Sequence, residues 1–115
     1  MAIVVVDPEP ERAALAEPIL RRLDALGIPH AVFVNKIDAA RGRIHDLLEV
    51  MQPMSGAPLV ARQIPIREGE KITGFVDIAL ERAHRYVPGK ESERIDIPAD
   101  LAEREASERY HMLET

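Results

Sequence analysis

Asn35-Lys36-Ile37-Asp38 gathers an amide, an ammonium and a carboxylate, with one apolar side chain between the two charges. A carboxylate at Asp38 can accept two adjacent N–H groups at once, a charge-assisted pair that suits the N1–H and N2–H₂ edge of guanine and that adenine cannot offer. Lys36 can lay its aliphatic stem along a base and ribose while its ammonium stays in water. Asn35 can tie neighbouring loops together or contact the base edge. Ile37 is expected to point away, into a core. The same residue types also build ordinary turns, so the tetrapeptide takes its meaning from the elements that carry it.

Those elements are legible on both sides. Ala31-Val32-Phe33-Val34 leads into the turn as a short apolar strand, begun after Gly27 and Pro29. Upstream, Ala2 to Val6 is β-branched and apolar without alternation, the pattern of a strand buried on both faces of a mostly parallel sheet. Between them Ile19, Leu20, Leu23 and Leu26 repeat at helical spacing, with Pro18 tolerable in a first turn. This predicts a helix from Glu17 to Leu26, open to extension toward the N-terminus. A strand, helix, strand unit favours parallel pairing, which brings Asp7 and the Asn35 turn to the C-terminal ends of the strands. Beyond the turn, Ile44, Leu47, Leu48 and Met51 mark the buried face of a second helix, interrupted by Pro53 and Gly56.

After Pro58 the pattern changes. Leu59 to Ile66, Ile72 to Leu80 and Arg82 to Val87 read as strands of a small antiparallel sheet, the first two separated by the turn-prone Arg67-Glu68-Gly69-Glu70. Pro88-Gly89 closes the sheet and a charged connector follows. Pro98 then precedes a helix in which Ala102, Ala106, Tyr110 and Leu113 fall on one face. The expected fold is α/β. Residues 1–56 form a partial parallel sheet with flanking helices, and residues 57–115 form the antiparallel sheet with its terminal helix.

Composition narrows the chemistry. The chain has 115 residues, 46% apolar and 30% charged, as a globular protein with one modest core would. It has no cysteine, so thiol nucleophiles, thiolate metal sites and disulfides are excluded. Asp and Glu outnumber Lys and Arg by 20 to 15, with two Phe, two Tyr and no Trp, which disfavours direct nucleic-acid binding. No apolar run approaches the roughly 20 residues of a membrane span, and no signal peptide starts the chain, so a cytoplasmic protein is expected. His30, His45, His84 and His111 show no metal-binding spacing and read as surface or capping residues. Ser55, Ser92 and Ser107 lack a nucleophile elbow. Glu103, Glu105 and Glu108, interleaved with Arg104 and Arg109, read as a solvated helix face, and Asp7 before Pro8 as a turn initiator.

Val32-Phe33-Val34-Asn35-Lys36-Ile37-Asp38 resembles the guanine-reading strand and loop of translational GTPases. Leu59 to Ile66, Gly69-Glu70, Thr73 to Asp77, Ala83 to Tyr86 and Ile97-Pro98 resemble the subdomain inserted in elongation factor G, so the resemblance spans nearly the whole chain. It implies the second half of a P-loop-GTPase-type domain, with Asn35, Lys36 and Asp38 binding the guanine of GTP or GDP. It also implies a GTP-hydrolysing parent that acts on the ribosome, and an inserted subdomain that serves as a partner surface. Pro8-Glu9-Pro10-Glu11 stands where the family has small residues and glycine, and Ile37 replaces the commoner Met, which points to a divergent paralogue. The chain contains no Gly-x-x-x-x-Gly-Lys-[Ser/Thr], and no Asp-x-x-Gly segment or threonine-bearing switch loop stands before Ala2, so phosphates and magnesium are expected on residues outside it. A cut fragment is the expectation, inactive alone, holding no cofactor and prone to self-association through exposed strand edges. A different class is a non-enzymatic interaction module that keeps the scaffold without the nucleotide.

Overall fold

The computed structural model describes residues 1–39 and 42–114. They divide into two compact units, Met1–Leu59 and Val60–Thr115.

In the first unit β1 (Ala2–Val6) pairs in parallel with β2 (His30–Val34), from Ala2 opposite His30 to Val6 opposite Val34. The connection runs through α1 (Pro10–Ala13), a 3₁₀ turn and α2 (Glu17–Ala25), with Pro18 in the first turn of α2, where a missing N–H costs nothing. Gly27, at φ +65°, stops α2. Its own N–H reaches Asp24 C=O and the Ile28 N–H reaches Leu23 C=O, which satisfies two carbonyls that a helix end leaves open. After the Asn35 turn comes α3 (Ile44–Met51), whose Asp46 carboxylate accepts the Arg43 N–H at 3.4 Å. Val4 and Val6 meet Ala13, Ala16, Leu20, Leu47, Met51 and Met54 in one buried core, with Val32 and Val34 partly buried against it.

The uniform apolar composition of β1 predicts burial on both faces, and the structure covers only one. Ile3, Val5 and Phe33 are 64%, 61% and 57% exposed. Side chains alternate across a strand, and the helices of this unit occupy a single face.

The second unit is a four-stranded antiparallel sheet in the order β3 (Gln63–Glu68), β4 (Lys71–Asp77), β5 (Arg82–Arg85) and β6 (Glu93–Ile95). Gly69, at φ +64°, makes the first turn. Ile64, Val76, Ile78 and Ala83 are fully buried. On the opposite face of the β4–β5 pair Phe75 stacks on its cross-strand neighbour His84, ring centroids 5.0 Å apart. The expected charged connector therefore contains a strand. Glu93 accepts a 2.7 Å hydrogen bond from Arg85 next door, and this bond, with the charge of Glu93, raises the Arg85 pKa above its ordinary value.

The terminal helix α4 (Ala99–Glu114) presents a different face from the expected one. Ala102, Ala106, Tyr110 and Leu113 are exposed, whereas Leu101, Glu108 and Met112 are half-buried and Glu105 is 5% exposed. Glu105 is thus not part of a solvated face. Arg109 lies 3.3 Å from it and 2.6 Å from Glu81, so one guanidinium faces both carboxylates, while Glu105 Oε1 and Arg109 Nε are buried without a hydrogen bond among the described residues.

Hydrogen exchange is expected to rank the two sheets. β1 and β2 form a two-stranded sheet with one bare face, while β4 is flanked on both sides and fully buried at Val76. Amides of Ala2–Val6 and Ala31–Val34 should exchange faster than those of Ile72–Ile78 in a monomeric sample. The reverse ranking would mean that the parallel pair needs no further sheet neighbour.

Candidate guanine-recognition loop

The loop is set by the ends of two parallel strands. β1 and β2 stop in register at Val6 and Val34, and the Asn35 N–H extends the ladder by one step, donating to Val6 C=O at 2.9 Å. Lys36 then turns the chain with φ +54°, a left-handed conformation uncommon for a side chain with a Cβ, costing on the order of 1 kcal/mol and concentrated at functional sites. A 3₁₀ turn, Ile37–Ala39, follows. Residues 40 and 41, just before α3, lie outside the described residues.

Asn35, Lys36 and Asp38 are all exposed, and Ile37 is half-buried. Among the described residues, no hydrogen bond or ion pair engages the side chains of Asn35, Lys36 or Asp38. Two donors and a carboxylate therefore stand on one short turn without a side-chain partner among the described residues. Such a set can take a flat heterocycle edge that offers two N–H groups to the carboxylate. Two shallow surface depressions among the described residues, one lined by Ala14, Leu15, Glu17, Pro18 and Arg21 and the other by Arg94, Ile95 and Asp96, include no residue of this loop.

Beside the loop, Asp7 does more than start a turn. Its carboxylate accepts the Glu9 N–H at 2.9 Å and lies 3.5 Å from the Arg12 guanidinium. Its place at a strand end was legible in the sequence, but its partners were not. Of the histidines, His30 is half-buried, with Nδ1 2.9 Å from the Ile28 carbonyl oxygen, and His84 is stacked on Phe75. His45 is exposed, 3.3 Å from Glu49. No group of three or more His, Asp or Glu able to hold a metal occurs among the described residues, nor does any helix long and apolar enough to cross a membrane.

A strand, helix, strand unit with an Asn-Lys-x-Asp turn at the C-terminal edge of its parallel strands, followed by a separate antiparallel sheet and helix, is a partial P-loop-GTPase-type domain with an added subdomain. No family model matches the chain. It is 35% identical over 113 residues to an elongation factor G-like protein of Synechocystis sp. (strain PCC 6803), a match over 98% of this chain and 17% of that protein. It also superposes over 97% of its length on a crystal structure from Thermus thermophilus, with a TM-score of 0.84 and 30% identity, covering 16% of that chain. Along nearly its whole length the chain is thus similar to one segment of an elongation factor G-like protein. It spans only about a sixth of the length of the curated relative it matches.

Proposed function

We propose that this chain is the guanine-reading part of a GTP-binding, elongation factor G-like protein that acts on the ribosome in the cytoplasm. Asp38 accepts the two N–H groups of the guanine edge, Lys36 covers the base and ribose with its stem, and Asn35 braces the loop against β1. Residues 57–115 form the inserted-type subdomain, a partner surface with no part in bond cleavage. The observation that carries the reading is the turn at Asn35–Asp38, at the C-terminal edge of a parallel pair, where Asn35, Lys36 and Asp38 are exposed and their side chains have no partner among the described residues.

The residues present fit the base of GTP or GDP. They do not fit its phosphates or a magnesium ion, for which the 115 residues supply neither the glycine-rich nest nor its Lys-[Ser/Thr] step. Hydrolysis accordingly depends on residues outside this chain. One base contact must also offset the rigid-body freedom lost on binding. The chain alone is therefore expected to bind GDP no tighter than about 1 mM, about −4 kcal/mol.

Amide chemical-shift mapping with millimolar GDP, and with ADP as the control, tests both statements. GDP should move Asn35, Lys36 and Asp38, and ADP should move them far less. Equal responses to the two nucleotides would remove the guanine reading. Saturable micromolar binding would show that phosphate-binding groups are present here after all.

A further inference from the structure

We infer that Asp7 is a positioning residue for the guanine loop, an inference that rests on the reading of Asn35, Lys36 and Asp38 given above. The link is a single peptide plane. The Asn35 N–H donates to Val6 C=O at 2.9 Å, and that carbonyl belongs to the same rigid amide as the Asp7 nitrogen. Any rotation of the chain at Asp7 therefore swings the acceptor on which Asn35 is seated. Asn35 in turn holds the entry to Lys36, whose φ of +54° leaves little room for adjustment.

The Asp7 side chain anchors the chain just beyond that plane. It folds back to accept the Glu9 N–H at 2.9 Å, closing a local turn on the residue that caps α1. With its side chain 25% exposed, it is the better covered member of its 3.5 Å pair with Arg12, whose side chain is 71% exposed. So exposed an ion pair contributes little, and the hydrogen bond to Glu9 is the element that sets the turn. Pro8 biases Asp7 toward extended backbone and Pro10 stiffens the segment, but neither ties the turn to the Glu9 N–H. The order of control runs from the Asp7 carboxylate to the Val6 carbonyl, then to Asn35 and Lys36.

Asp7→Ala removes the acceptor, whereas Asp7→Asn keeps an oxygen that can take the Glu9 N–H and drops only the charge facing Arg12. The readout is hydrogen exchange of the Asn35 amide relative to the Phe33 amide, two residues earlier on the same strand, measured on this chain without nucleotide. Asp7→Ala should speed Asn35 about tenfold relative to Phe33, and Asp7→Asn should stay within about threefold of the unaltered protein. In the presence of millimolar GDP, the shifts at Lys36 and Asp38 should shrink in Asp7→Ala and persist in Asp7→Asn. No change at Asn35, equal acceleration of Asn35 and Phe33, equal damage from both variants, or an undiminished GDP response in Asp7→Ala would each overturn the proposal. If the unaltered chain responds equally to GDP and ADP, the guanine reading falls by itself, and the exchange ratio still decides whether Asp7 positions the loop.

Discussion

Replacing Gly74 by alanine is expected to collapse the antiparallel sheet. A Cβ at this position would meet the His84 backbone carbonyl oxygen, with the Arg85 Cα also within 3.0 Å. Nothing flexible can yield, because both obstacles belong to the backbone of β5, paired with β4 from Gly74–Arg85 to Asp77–Arg82. Relief requires β5 to move off β4, which would uncover the fully buried Val76 and Ala83. Overpacking against backbone of this kind should cost about 3 kcal/mol or more, at the upper end of single substitutions. Both tyrosines, Tyr86 and Tyr110, lie in the second unit, so tyrosine fluorescence during urea unfolding reports on it alone. Thr73→Ala, next door, is the reference. A Gly74→Ala midpoint equal to that of Thr73→Ala would show that the strands do not approach this closely.

The sequence announced the elements of the first unit because each is driven by local pattern. The spacing of Leu20 and Leu23, the stop at Gly27 and the apolar run before Asn35 all act within a few residues, and the helix, its end and the parallel strand appear where they predict. The second face of β1 and β2 shows the limit of such reading. Ile3, Val5 and Phe33 are composed as for burial, but burial needs a covering partner, and pattern alone does not say where the partner comes from. β6 was illegible for the opposite reason. Glu93-Arg94-Ile95 has one apolar residue, and its pairing depends on β5 and on Arg85, residues distant from any local window. The buried face of α4 could not be read either, since a glutamate is ordinarily exposed and the guanidinium of Arg109, which faces Glu105, also faces Glu81, far from it in sequence.

At the candidate site, the residue types and their order were readable, whereas their conformation was not. Nothing in a lysine announces a left-handed backbone, which arises because the chain must leave the ladder at Asn35 and reverse within two residues. The turn ties of Asp7 were hidden similarly. An Asp before Pro is common in turns, and only the fold shows that its peptide plane also carries Asn35.

The central claim, that Asp38 reads guanine, is tested most directly by Asp38→Asn in a longer chain that also carries the phosphate-binding segments. The carboxylate accepts two hydrogen bonds from the guanine edge. The amide keeps one acceptor and places a donor where guanine also donates. Losing the charge-assisted pair should cost about 2–4 kcal/mol, roughly 30- to 700-fold in GTP affinity. The new donor suits the 2-oxo group of xanthine, so the preference should move toward xanthosine triphosphate instead of merely weakening. The measurement is a competition titration of GTP against xanthosine triphosphate, in the unaltered and Asp38→Asn proteins. The account predicts that the guanine-over-xanthine ratio falls by at least about tenfold in the variant. An unchanged ratio would contradict it and remove Asp38 from the site.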